Sequence, residues 1–220
     1  MVTSNAHTHT CFCDGANTPE EMVQAALAKG FRVLGFSGHG DTPFDHSYAM
    51  SAEKTASYLQ ELKRLQKQYA GQIHIVIGME ADLFSHVDTS PYQYLIGSCH
   101  YVKSPSGKYY AVDNTKEELA LAITEGFSGD PKAMVSQYYE NVAAWLSRGT
   151  FQILGHFDLV RKFNAQNCLF DAVSYTHLGD RLRGGKAPLI SRSYGKGFDR
   201  KHRPLLWPKA GECFGGEWFG

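Results

Sequence analysis

Residues 73–80 read IHIVIGME, with Ile73, Ile75, Ile77 and Met79 alternating before Glu80. A period of two in branched apolar residues predicts a strand with one face in a core, ending in a carboxylate. Upstream, Tyr58, Leu62, Leu65 and Tyr69 are spaced four, three and four residues apart, a single helical stripe that Gly71 stops. A helix followed at once by such a strand is the repeating unit of a parallel sheet.

The same unit recurs on both sides. A first strand is expected over Val2 to His9, followed by Thr18-Pro19-Glu20-Glu21, a capping box with proline at the first helical position, and by Gly30 at the helix end. Strands are expected at Phe31 to Ser37, Tyr94 to His100 and Phe151 to Leu154. Between the last two, Thr115 and Glu118 cap a short helix. Asp130-Pro131 opens a longer one through Met134, Val135, Tyr138, Val142 and Leu146, which ends at Gly149. The expected class is α/β, with βα units around a mainly parallel sheet or barrel.

The total charge is zero, but it divides unevenly: 13 Lys and Arg against 18 Asp and Glu up to residue 171, and 9 against 4 beyond it. A net-acidic body argues against a nucleic-acid partner, which needs a basic stripe to neutralise phosphates. No run of about 18 apolar residues and no secretory signal pattern are present, so no membrane partner and a cytoplasmic location are expected. Cys11, Cys13, Cys99, Cys168 and Cys213 match neither a disulfide framework nor a zinc ribbon and read as reduced thiols. Cys11 and Cys13 stand near a histidine pair as soft-ligand candidates, although small loop residues explain them better. From Ala172 the periodicity stops, and 172–220 is expected to be an irregular tail, foreign or out-of-frame, since Trp207, Phe214, Trp218 and Phe219 are unlike a solvating disordered segment.

Each expected strand is closed at its C-terminal end by a candidate metal ligand: His7 and His9, His39, Glu80, His100 and His156. In βα barrels this end carries the active face. One histidine alone would be a structural residue more often than a ligand; five such positions on one rim point to metal binding. Imidazole and carboxylate donors suit zinc, manganese or iron without selecting among them.

The segments NAHTHTCFCDG (5–15), FSGHG (36–40), GMEAD (78–82), LIGSCHY (95–101) and ILGHFDLVRKF (153–163) resemble the polymerase-and-histidinol-phosphatase (PHP) superfamily, and within it the histidinol-phosphate phosphatases. The resemblance implies a distorted (βα)7 barrel over 1–171, incomplete at its C-terminal end, and two to three divalent ions. His7, His9 and Glu80 would hold one ion. Glu80 would bridge to a second held by His100 and His156, and Asp14 with His39 would hold the third. The implied activity is hydrolysis of a small phosphate monoester, histidinol phosphate, in histidine biosynthesis, with Glu80 and Arg161 as catalytic groups. Arg161 would clamp the phosphate, against the reading of a solvated basic pair with Lys162, and Asp158 would orient His156 or approach the metals, against the reading of a plain loop aspartate. Asp41, Asp45 and His46 lie in a loop placed to cover the substrate, whereas His74 and His86 read as structural or surface residues.

One feature departs from the pattern. The Asp-x-His that the family carries near its last strand has no counterpart, because Asp171, Asp180 and Asp199 are followed two residues later by Val173, Leu182 and Lys201. The chain is therefore expected to be nearly inactive and poorly soluble. The competing readings are another phosphoesterase of the superfamily, such as a nucleotide phosphatase or exonuclease, and a metal-binding fragment without activity. The oligomeric state stays open.

Overall fold

A computed structural model describes residues 3–164, residues 169–170 and the backbone of Leu189–Ile190. Its elements run β1 (Ser4–Asn5), α1 (Pro19–Ala28), β2 (Val33–Phe36), α2 (Ala52–Gln68), β3 (His74–Asp82), β4 (Tyr94–Ser98), β5 (Tyr101–Lys103), β6 (Tyr109–Ala111), α3 (Lys116–Leu121), α4 (Pro131–Arg148), β7 (Ile153–Leu154) and β8 (Leu189–Ile190). Six strands form one parallel sheet in the order β1-β2-β3-β4-β7-β8, and β5 and β6 form a separate antiparallel hairpin. Sheet order thus follows chain order, which brings the C-terminal ends of all these strands to one rim.

Local chemistry explains the helix boundaries. The Thr18 hydroxyl accepts from Glu21 N while the Glu21 carboxylate accepts from Thr18 N, the reciprocal box read from the sequence. Asp130 caps α4 by accepting from Lys132 N and Ala133 N, and Gly149 ends it at φ 63°, a left-handed conformation that glycine adopts without a Cβ penalty. The stripe of α2 buries Tyr58, Leu62 and Leu65 against Leu34, Phe36, Ile75 and Ile77. A second core joins α3 and α4 to the other half of the sheet through Met79, Leu95, Leu119, Met134, Tyr138 and Leu154.

The structure departs from the sequence reading in five places. The first strand ends at Asn5, not His9, because the Asn5 Oδ1 atom accepts from His7 N at 2.8 Å and turns the chain out of the sheet. His7 and His9 are therefore presented by irregular backbone. β4 stops at Ser98, where His100 N turns to donate to Asp82 Oδ2 at 2.7 Å. The hairpin β5–β6 and the π-helical turn Ala122–Gly126 after α3 were not anticipated. Beyond Ala172, where no regular pattern was expected, Leu189–Ile190 pairs with β7 as the sixth strand. The remaining expectations for the tail, including its aromatic residues and its origin, fall outside the described residues, as do Cys168 and Cys213.

Tyr94 ties the first strands together. Its hydroxyl donates to Ala6 O and Phe36 O, and its ring lies over Gly78, where an added Cβ would come within 2.3 Å of the ring carbons. The hydroxyl bonds prevent the ring from moving aside. Gly78→Ala should therefore cost about 1–3 kcal/mol as an overpacked core site, read as a lower urea midpoint at unchanged slope; a midpoint within error of the parent would show that the ring can yield.

Candidate metal centre

Glu80, near the end of β3, is 1% exposed. Its Oε2 lies 2.7 Å from His7 Nε2, 3.0 Å from His9 Nε2 and 3.6 Å from His39 Nδ1. Its Oε1 lies 2.9 Å from His156 Nε2 and 3.4 Å from His100 Nε2, and accepts from Ser98 Oγ. Asp14 joins from the side, 2.8 Å from His9 Nδ1 and 3.6 Å from His39 Nε2. All seven residues read as ligands from the sequence thus meet in one cluster. The strand ends explain the convergence: β2, β3, β4 and β7 deliver His39, Glu80, His100 and His156 within three residues of their last sheet position.

The electrostatics are those of a site short of protons and rich in lone pairs. Burial opposes ionisation of Glu80, yet the nearby His7 and His39 and the hydrogen bonds from His100 and His156 hold its carboxyl well below the usual range. Burial also pushes His7 and His39 down, outweighing the attraction of Glu80. His9 and His100 move up despite burial, because Asp14 bonds the first and Asp82 with Glu80 bonds the second. Three carboxylates, Glu80, Asp14 and Asp82, cannot neutralise five imidazolium ions, and His7 and His39, which burial drives down, present neutral rings with a ring nitrogen lone pair. His156 adds a buried Nδ1 without a hydrogen-bond partner.

That donor set fits divalent metal. Donor atoms within 4.8 Å of one another form three groups: His7, His9 and Glu80; His9, Asp14 and His39; His39, Glu80 and His100. The first is the set implied by the resemblance. The other two differ from it in detail, since His9 joins Asp14 and His39, and His39 stands in the third group where His156 was expected. His156 nevertheless shares Oε1 of Glu80 with His100.

The other candidates make contacts of their own, and of these Cys13 also meets His9 of the cluster. Arg161 ends a short 3-10 turn, Leu159–Arg161, partly exposed, with Nη1 3.9 Å from Asp158 Oδ2. Asp41 and His46 pair with each other at 2.7 Å on the surface. His74 and His86 are exposed, and Cys11 is an exposed free thiol. Cys13 Sγ donates to Thr10 O at 3.5 Å, a loop contact.

Sequence reasoning missed Asp82, Ser98 and Tyr48. Asp82 is 2% exposed and its Oδ2 accepts from His100 N at 2.7 Å and from His100 Nδ1 at 3.2 Å, which turns Nε2 toward Glu80. A signal existed, because residues 80 and 82 of one strand share a face. Tyr48 lies edge-on to His39, ring centroids 4.7 Å apart, and nothing in its loop sequence marks it.

Comparison with known proteins places the chain in a family. Residues 5–179 match the PHP domain, and the chain belongs to that family. Among its relatives is a protein of Bacillus subtilis named histidinol-phosphatase, 30% identical over 190 residues, a match covering 74% of this chain and 68% of the relative. The chain spans 57 to 68% of the length of the curated relatives it matches. The solved hisK structure from Listeria monocytogenes has the same fold, with a TM-score of 0.64 at 20% identity over 81% of this chain and 75% of that one. So does histidinol phosphate phosphatase from Lactococcus lactis, described in complex with zinc, L-histidinol and phosphate, with a TM-score of 0.54 at 21% identity over 73% and 59% of the two chains.

Asp82→Asn tests the orientation of His100. In metal-free protein the loss of the carboxylate should lower the His100 titration toward the ordinary imidazole range, followed by NMR of the ring carbons. An unchanged titration would mean that Glu80 alone sets it.

Proposed function

We propose that this chain is a metal-dependent phosphomonoesterase that hydrolyses L-histidinol phosphate to L-histidinol and phosphate, acting in the cytoplasm within histidine biosynthesis. The observation that carries the reading is the convergence of five imidazoles and Asp14 around buried Glu80 on the C-terminal rim of a parallel sheet. The names of the Bacillus and Lactococcus proteins support the substrate.

His7, His9, Asp14, His39, Glu80, His100 and His156 would hold two to three ions of zinc, manganese or iron. Divalent ions held by these donors would supply Lewis acidity toward a phosphoester oxygen and would make bound water more acidic. The protein's own part is positioning. Glu80, with an oxygen toward each half of the histidine set, keeps the two halves within a shared carboxylate's reach. Asp82 fixes the ring of His100, and the Arg161 guanidinium, attached five residues past His156, supplies a planar pair of donors to phosphate oxygens. No covalent phosphoenzyme is required.

Phosphate release from L-histidinol phosphate by the full chain should depend on added manganese or zinc and disappear in Glu80→Gln. Release that is indifferent to metal or to Glu80→Gln, or no release at any metal concentration, would remove the proposal. Arg161→Ala should mainly raise KM, by the equivalent of roughly 1.5–3 kcal/mol for a charged hydrogen bond; unchanged kcat and KM would take the phosphate from Arg161.

A further inference from the structure

Glu80 accepts one hydrogen bond from a group that is not a candidate ligand: the Ser98 hydroxyl donates to its Oε1. Ser98 is the last residue of β4 and pairs in register with Asp82 of β3, which puts its side chain on the sheet face that carries Glu80 and Asp82. The residue is fully buried. Space is kept for it from a third strand, since a Cβ at Gly155, one residue before His156, would stand 2.1 Å from Ser98 Oγ. Only glycine at 155 leaves the hydroxyl where it is.

The bond falls on the oxygen whose neighbours are held least. An ionised carboxylate offers about four acceptor positions, two on each oxygen. Those of Oε2 face His7 Nε2, His9 Nε2 and His39 Nδ1, at 2.7, 3.0 and 3.6 Å. On Oε1 the serine takes one position, and the other faces His156 and His100 at 2.9 and 3.4 Å. Asp82 grips His100 independently, through both its backbone and its ring. His156 has no such support. Its buried Nδ1 makes no hydrogen bond, so Glu80 Oε1 is the polar contact that orients its ring. A carboxylate can hold one cation with both oxygens or reach two cations with one oxygen each. A donor anchored in β4 keeps Oε1 on the His100–His156 side and so favours the second arrangement.

We propose that Ser98 is a positioning residue of the metal centre: by holding Glu80 Oε1 it keeps the carboxylate divided between two ions and maintains the position between His100 and His156. The inference rests on the metal-centre reading above and adds the residue that keeps its two halves distinct. Without the hydroxyl, the carboxylate is free to turn both oxygens toward His7 and His9. The His100–His156 position then loses its shared oxygen, whereas the His7–His9 position keeps Oε2.

Zinc titration of the metal-free full chain and of Ser98→Ala, followed at the histidine ring carbons by NMR, reads the two positions separately. In the parent, the signals of His7 and His9 and those of His100 and His156 should all move to metal-bound positions. In Ser98→Ala the first pair should respond at the parent's zinc concentration, and the second pair should need at least about 10-fold more, the loss typical when a contact supporting a ligand is removed. Loss of packing alone would not single out one pair. A parent-like response of His100 and His156 in the variant, or an equal weakening of both pairs, would overturn the role of Ser98. A parent in which either pair ignores zinc would overturn the metal-centre reading itself, which separates the two failures.

Discussion

Burying a carboxylate is expensive unless it is paired and hydrogen-bonded, and Glu80 is 1% exposed at the middle of the sheet's active rim. Five imidazoles and a serine hydroxyl meet that cost, and in doing so they define the geometry of everything near them. His7 and His9 reach it only because Asn5 turns the chain out of β1, and His100 reaches it only because Asp82 holds its backbone and its ring. The parallel sheet serves the same end. Its strands deliver one donor each from β2, β3, β4 and β7, and Tyr94 bonds the chain between β1 and His7 to the end of β2.

The histidines of this centre are pulled in opposite directions. Some of its histidines are driven toward the neutral form by burial while others are kept protonated by Asp14 and Asp82, and the same carboxylate serves both kinds. A divalent ion bound there would take imidazole lone pairs and balance the carboxylates together. That coupling makes metal affinity, acid sensitivity and catalytic competence consequences of one arrangement.

Much of this was legible in the sequence because the signals were local. The capping box at Thr18 and Glu21, the Asp130-Pro131 start and the αL glycine at 149 fix helix ends through bonds within a few residues, and all three are present. Most of the clustered donors were legible because they stand at or just beyond the end of a strand. What escaped depends on contacts between distant segments. The shortness of β1 comes from one Asn side chain competing with the sheet for His7 N, and the hairpin β5–β6 comes from packing of Tyr101 and Tyr109 against the loop of Phe44 and Asp45. The pairing of Leu189–Ile190 with β7 likewise has no periodic signature, since two residues are too few to show one.

The account stands on Glu80 as the shared anchor of a metal centre, and metal stoichiometry tests it most directly. Elemental analysis of the full chain, equilibrated with manganese or zinc and freed of loosely held ions, should give about two or more ions per chain, consistent with the paired-metal chemistry proposed. Glu80→Gln, equally folded by circular dichroism, should hold less than about one. A parent that retains no metal, or a glutamine variant that retains the parent's full complement, would contradict the assignment of Glu80 and with it the reading of the site.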